Sequence, residues 1–211
     1  MDPLGILSPR PTGPVGPALS SAPSASPERS DAARNRERLV ATARHIIERD
    51  GVAGLTMDGL AAECGVGKGT IFRRFGSRAG LFQALLNDVE RDFQASFLSG
   101  PPPLGPGAPP VERLVAFGRA RIEVLSRQRD LMVAAERPPE ERFDVPARQL
   151  SELHIATLLR QSHLEADVPV LSFNLHAVLD AILTLPGDGD LEGRVARLAD
   201  GWEYLVRRIA A

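Results

Sequence analysis

The stretch LTMDGLAAECGVGKGTIFRRFGSRAGLF, residues 55–82, decides how the chain is read. Thr56 precedes a short run from Met57 to Glu63, with Asp58 in the first turn, where a negative charge suits the helix dipole. Gly65 punctuates, and Lys68 to Phe75 follows as another short helix. Leu60, Ala61, Val66, Ile71 and Phe75 are apolar at spacings that let the two helices pack together. Gly67, Gly69 and Thr70 are small, so the N-terminal turn of the second helix can approach the floor of a major groove. Its free backbone N–H groups also favour phosphate. Lys68, Arg73, Arg74 and Arg78 carry positive charge with no acid between the first and the last. Short helix, glycine turn, cationic short helix: the pattern is a helix-turn-helix.

Outward from that core the helical pattern continues on both sides. Leu39, Ala43, Ile46 and Ile47 share one face of a helix that starts near Arg36 and ends near Gly51. Ser77 caps a further helix whose stripe Leu81, Phe82, Leu85, Val89, Phe93, Phe97 runs to Gly100. The segment GPPPLGPGAPP, residues 100–110, stops it. Helices are then expected over 111–128, with a short extra turn at 131–136, and over 146–164, 169–185 and 191–209. In the last of these, Leu191, Val195, Leu198, Trp202, Leu205 and Ile209 repeat at 4-3-4-3-4 spacing, an apolar seam. No alternating strand pattern occurs. The expected fold is all-α, with a three-helix N-terminal domain over 34–82 and a helical body over 83–211. Residues 1–33 hold seven Pro, three Gly and six Ser without an apolar period, and read as a disordered arm.

The net charge of -2 hides an asymmetry. Residues 34–82 carry nine Arg or Lys against five Asp or Glu, whereas residues 83–211 carry fourteen against nineteen. A basic block on an acidic body suits a chain of which one part meets a polyanion. Lys68 is the sole lysine, and an Arg-, Ala-, Gly- and Pro-rich composition points to a GC-rich bacterial genome. Cys64 stands alone, which excludes an intramolecular disulfide and any multi-cysteine metal site and fits a cytoplasmic protein. No apolar run is long enough for a membrane span, and no secretion signal opens the chain. Enzyme motifs are missing too: there is no G-x-S-x-G elbow, H-E-x-x-H helix or phosphate loop, so neither an active site nor a cofactor is expected. A helical adaptor using the basic block on an acidic protein is the alternative from another class. The Gly-Lys-Gly-Thr turn would then be unnecessary.

Residues 38–85, and above all the quoted run, resemble the DNA-binding domain of the tetracycline-repressor (TetR) family. The landmarks are Thr56, Leu60-Ala61, the Gly65-Val66 turn, Lys68-Gly69-Thr70, the aromatic pair Phe72 and Phe75, and the Ser77 start of the next helix. The resemblance implies a dimeric, ligand-responsive transcriptional regulator, a repressor on a palindromic operator released by a small-molecule effector. It implies that Lys68, Gly69, Thr70 and Arg73 contact bases and phosphates, that Thr56 bonds a phosphate, and that Arg78 grips the DNA backbone. Arg73 is the expected base reader, since a guanidinium can bond guanine bidentately. Phe72 stands where the family usually has Tyr, Gly67 where Ser is commoner, and Arg74 where His is frequent.

The body carries no diagnostic motif, and its roles come from the resemblance alone. A dimer interface is implied on the last two helices, through Leu175, Leu179, Ile182, Val195, Leu198, Trp202 and Leu205. An effector pocket is implied near Phe93, Phe97, Phe117, Arg121, Met132, Leu150, His154 and His176.

Overall fold

The computed structural model describes residues 27–135, 146–184 and 190–211. Among them the architecture is all-helical: α1 (Pro27–Gly54), α2 (Met57–Cys64), α3 (Lys68–Phe75), α4 (Arg78–Ser99), α5 (Pro110–Ala134), α6 (Pro146–Gln161), α7 (Val168–Asp180) and α8 (Leu191–Ile209). A 3-10 turn, Ala181–Thr184, closes α7.

Three boundaries differ from expectation. The first helix begins at Pro27, so residues 27–33 are helical and not part of an arm. Pro27 suits a first helical turn. The rest of the expected arm, 1–26, lies outside the described residues. Residues 110–134 form one continuous α5, because Arg129 and Asp130 break nothing and no Gly or Pro stands between Gln128 and Leu131. The helix after Pro169 ends its α-helical part at Asp180, five residues early. Gly51 takes φ 74 and ψ 172, so the regular run of α1 breaks there as its residue type predicts.

Capping explains the short elements. The Thr56 hydroxyl accepts a hydrogen bond from the Gly59 N–H at 3.0 Å. At the other end of α2, Gly65 is left-handed (φ 64, ψ 33), and Val66 N–H reaches back to the Ala61 carbonyl at 3.0 Å. Ser77 caps α4 through the Gly80 N–H at 3.1 Å.

Two apolar cores result. The first joins Leu39, Ala43, Leu60, Ile71, Phe75 and Leu81 of α1–α4. The second lies in the body, among α4 to α8, around Phe97, Phe117, Ile155 and Trp202. Leu131, near the end of α5, is buried in the first core, with Ala134 and Ala135 packed beside it. The long body helix therefore finishes inside the N-terminal domain. Within the body, α5 packs along α8 and α6 against α7. Trp202 donates its indole N–H to the Leu114 carbonyl at 3.1 Å. A Cβ on Gly118 would lie 1.9 Å from the indole, so glycine is what admits the ring.

Candidate nucleic-acid interface and effector cavity

α3 divides cleanly. Ile71 and Phe75 are buried, and at about 100° per residue Arg73 falls nearly opposite their midpoint. Lys68, Gly69, Phe72, Arg73 and Arg74 are all exposed, and Thr70 is half-buried. Nothing lies within 4 Å of a Cβ placed on Gly67 or Gly69, so the first turn of α3 is open to an incoming surface. Gly67 makes no side-chain cap, which leaves N–H groups at that end available. Arg73 reaches only Thr70, at 3.4 Å, a weak restraint on an exposed guanidinium. Lys68 pairs with Asp58 at 2.7 Å, both more than half exposed, and lies 5.8 Å over the Phe72 ring. Such an exposed pair is readily exchanged for a phosphate. Phe72, 41 % exposed, offers an apolar face with no hydroxyl.

Arg78 has a structural task besides its expected role. Its Nε donates to the Leu55 carbonyl at 2.9 Å, and Nη2 to those of Val52 at 3.0 Å and Ala53 at 3.4 Å. The guanidinium also lies 4.7 Å over the Phe82 ring. It thus satisfies the orphan carbonyls where α1 ends, a task sequence reasoning missed because those carbonyls are 23 to 26 residues away. The Thr56 hydroxyl is likewise engaged in its cap as an acceptor, with its proton still available to an outside oxygen.

In the body, the expected pocket residues divide into four places. Phe93, Phe97, Phe117 and His154 form one closed aromatic cluster, with centroids 5.2 Å apart for Phe97–Phe117 and 4.4 Å for Phe97–His154. Burial, then the charge of Arg113, depresses the His154 pKa to about 4, so the ring is neutral near pH 7. His176 belongs elsewhere: it is buried 3.5 Å from Asp180, which also pairs with Arg148 of α6. Burial works against the Asp180 carboxylate, but His176 and Arg148 outweigh it and hold its pKa below the ordinary value. Leu150 packs on the edge of the body core.

Arg121 and Met132 alone of the eight line an open cavity of about 630 Å³ beside α4 and α5. Its wall includes Leu86, Val89, Val124 and Leu125, with Arg36 of α1 and Ala147 of α6 at its edges. Arg121 pairs with Glu90 at 2.6 Å and stacks over Phe93, its centre 5.3 Å from the ring centroid. A second hollow, about 350 Å³, lies where α1, α4 and α5 meet, between Arg44, Leu85 and Leu131. The polar members of the larger wall, Gln83, Asn87 and Glu90, were invisible as a group, since their spacing reads equally well as a solvated helix face.

The expected dimer seam is corrected. Leu175, Leu179, Ile182 and Trp202 are at most 1 % exposed within the single chain. Val195, Leu198 and Leu205 pack against the same core. Trp202 of the 4-3-4-3-4 stripe is spent on α5, while Val195, Leu198 and Leu205 are half-buried in the single chain. Large apolar side chains left uncovered on these helices are Val170, Phe173 and Val178 of α7 and Tyr204 of α8, exposed by 54, 53, 37 and 66 %. Among the described residues no group of His, Cys, Asp or Glu could hold a metal, and no helix is long and apolar enough to cross a membrane.

An open, cationic second helix set by a glycine turn onto a three-helix core, with a helical body behind it, is a DNA-binding domain of the helix-turn-helix class. Residues 39–85 match the sequence family of bacterial regulatory proteins, tetR family. That match covers the N-terminal domain, the segment that carries the helix-turn-helix.

An HTH-type transcriptional regulator of Staphylococcus aureus (strain bovine RF122 / ET3-1) is 36 % identical over 62 residues, 29 % of this chain and 34 % of the relative. The chain thus spans about a third of the length of the curated relatives it matches. Among solved structures, a TetR-family regulator from Pectobacterium atrosepticum superposes with TM-score 0.62 at 21 % identity, over 86 % of this chain and 96 % of that one. A TetR/AcrR regulator from Thermobifida fusca gives 0.60 at 18 % identity, over 81 and 97 %. AibR in complex with isovaleryl coenzyme A and operator DNA gives 0.53 at 22 %, over 81 and 97 %. These similarities extend the fold beyond the N-terminal domain to the body.

Proposed function

We propose that the protein is a cytoplasmic transcriptional repressor that binds a palindromic operator as a homodimer and releases it when a small molecule occupies the body. The observation that carries this is α3, whose Arg73 stands opposite the buried Ile71 and Phe75 on an unobstructed outer face. Arg73 reads a base, Lys68 and the N–H at Gly69 meet phosphate, the Thr70 hydroxyl lies beside them, and Phe72 packs against sugar or a thymine methyl. Thr56 supports the phosphate contact from α2. Arg74 adds charge beside them.

Two copies are needed, because a palindrome presents two half-sites separated by about 34–36 Å or a multiple of it. The uncovered Val170, Phe173, Val178 and Tyr204 supply an apolar surface for pairing α7 and α8 with those of a second copy. The route from effector to DNA is the end of α5, since Arg121 and Met132 line the cavity while Leu131 sits in the N-terminal core. A ligand shifts that equilibrium only by its differential affinity for the two arrangements. AibR, of the same fold, has been crystallised with both an acyl-coenzyme A and operator DNA, a division of labour that supports this reading.

Electrophoretic shift and light scattering on the purified chain with the DNA upstream of its own gene test the proposal. A dimer with salt-dependent affinity for a palindrome is expected, and Phe173→Glu should leave a monomer that binds weakly. A strictly monomeric wild type, or one with no duplex affinity at low salt, overturns it. An acidic-protein adaptor would show just that.

A further inference from the structure

The 630 Å³ cavity falls within the range of small-molecule sites, and the hydrogen bonds in its wall are unevenly used. Both oxygens of Glu90 already have donors: Arg121 Nη1 at 2.6 Å and Gln94 Nε2 at 3.3 Å. Arg121, only 7 % exposed, has five N–H donors, and its Nε is buried without any partner. A buried donor left unmade is costly, so Arg121 Nε stands as a donor without an acceptor while both Glu90 oxygens are taken. The charges agree. Of the arginines in the wall, Arg121 is paired with Glu90 and Arg91 with Asp88, whereas Arg36 makes no ion pair among the described residues, which leaves one cation in excess. Between these cations lie Leu86, Val89, Val124, Leu125 and Met132.

We infer that this cavity takes an amphipathic organic anion, its carboxylate received by Arg121 with Arg36 nearby and its apolar body laid on the leucine, valine and methionine wall. The inference rests on the effector reading above and names the chemistry of the ligand. A carboxylate supplies the missing acceptor and balances the excess cation. An alkylammonium would meet the unpaired Arg36 and find the Glu90 and Asp88 carboxylates already occupied by Arg121 and Arg91. A neutral alcohol satisfies the hydrogen bond and leaves the charge.

Titration calorimetry of the full chain with octanoate, octanol and octylammonium decides the matter. Octanoate should bind about ten-fold or more tighter than octanol, the worth of one charge-assisted hydrogen bond, with octylammonium weakest. Arg121→Gln alone strands the Glu90 carboxylate in the wall, so the double variant Glu90→Gln/Arg121→Gln keeps the net charge of the site unchanged and the chain folded. That variant should keep octanol binding and lose the preference for octanoate. Tighter binding of octylammonium, binding of none of the three, or an octanoate preference that survives the double variant overturns the inference. A parallel DNA-binding assay separates the two readings. Arg121-dependent octanoate binding that leaves the DNA complex intact sinks the effector role and leaves the ligand class standing.

Discussion

Arg78 hangs on Leu55: its Nε donates to that residue's carbonyl at 2.9 Å, and Nη2 reaches the Val52 carbonyl at 3.0 Å. The cation at the start of α4 therefore holds the end of α1 and the approach to the Thr56 cap. Its Nε and Nη2 donors are spent inside the domain. This relationship separates the arginines of the basic block into those that build the interface and those that constitute it.

Arg78→Ala should lower the thermal midpoint and weaken DNA binding without altering the salt slope. A phosphate contact would instead remove about 0.9 from the slope of log K against log salt. Measuring affinity across a salt series for wild type and variant checks this. A slope reduced by nearly one unit would return Arg78 to the DNA backbone.

Arg73→Ala should act differently, relaxing the preference at one base pair per half-site by about 1–3 kcal/mol. Competition with single-base operator variants measures the loss. Equal weakening on specific and random duplex would count against Arg73 as the base reader.

Gly118→Ala should destabilise the body sharply, because the added Cβ would sit 1.9 Å from the Trp202 ring. Overpacking of this kind costs about 1–3 kcal/mol or more. Trp202→Phe in the same background would relieve part of the clash, and thermal unfolding of the single and double variants reads both effects. Trp202 emission, blue-shifted in the wild type, should move toward the exposed value in Gly118→Ala.

Leu131→Ala should loosen the N-terminal domain although the residue belongs to α5. Truncating a buried leucine costs about 2–5 kcal/mol. Hydrogen exchange should show faster amides in α1 and α4, with the aromatic cluster of the body unchanged. Protection lost only in the body would break the proposed route from cavity to DNA.

His154 predicts a pH dependence. Its folded pKa of about 4 lies below the ordinary value of 6.5, so between these pH values the unfolded chain binds the proton and the native one does not. Stability is fully retained above about pH 6.5 and falls as pH drops toward 4, by on the order of 3 kcal/mol in total from this residue. His154→Phe, set against Phe97 and Phe117, should flatten that part of the stability-pH curve in denaturant titrations. An unchanged curve would show that the ring takes up its proton in the native state without cost.

Within the quoted run, chain-local signals were enough. The Thr56 cap, the left-handed Gly65 and the apolar spacing of Ile71 and Phe75 are each written within a few residues, so both short helices and the exposed cationic face could be read from order alone. Helix periodicity also marked the apolar stripe of α8. It could not say whether α5 or a second chain covers that stripe, because an apolar face looks the same whichever partner buries it. Only the assembled chain shows Trp202 over Gly118, which turns the seam inward and leaves Phe173 and Tyr204 outside. The same holds for Arg78, whose acceptors lie more than twenty residues away, and for Arg121, whose charge is answered from α4. Residue order determined the helices and the chemistry of the reading head. Long-range packing decided which cations stay free for DNA or ligand, since a guanidinium's role depends on the oxygen that reaches it first.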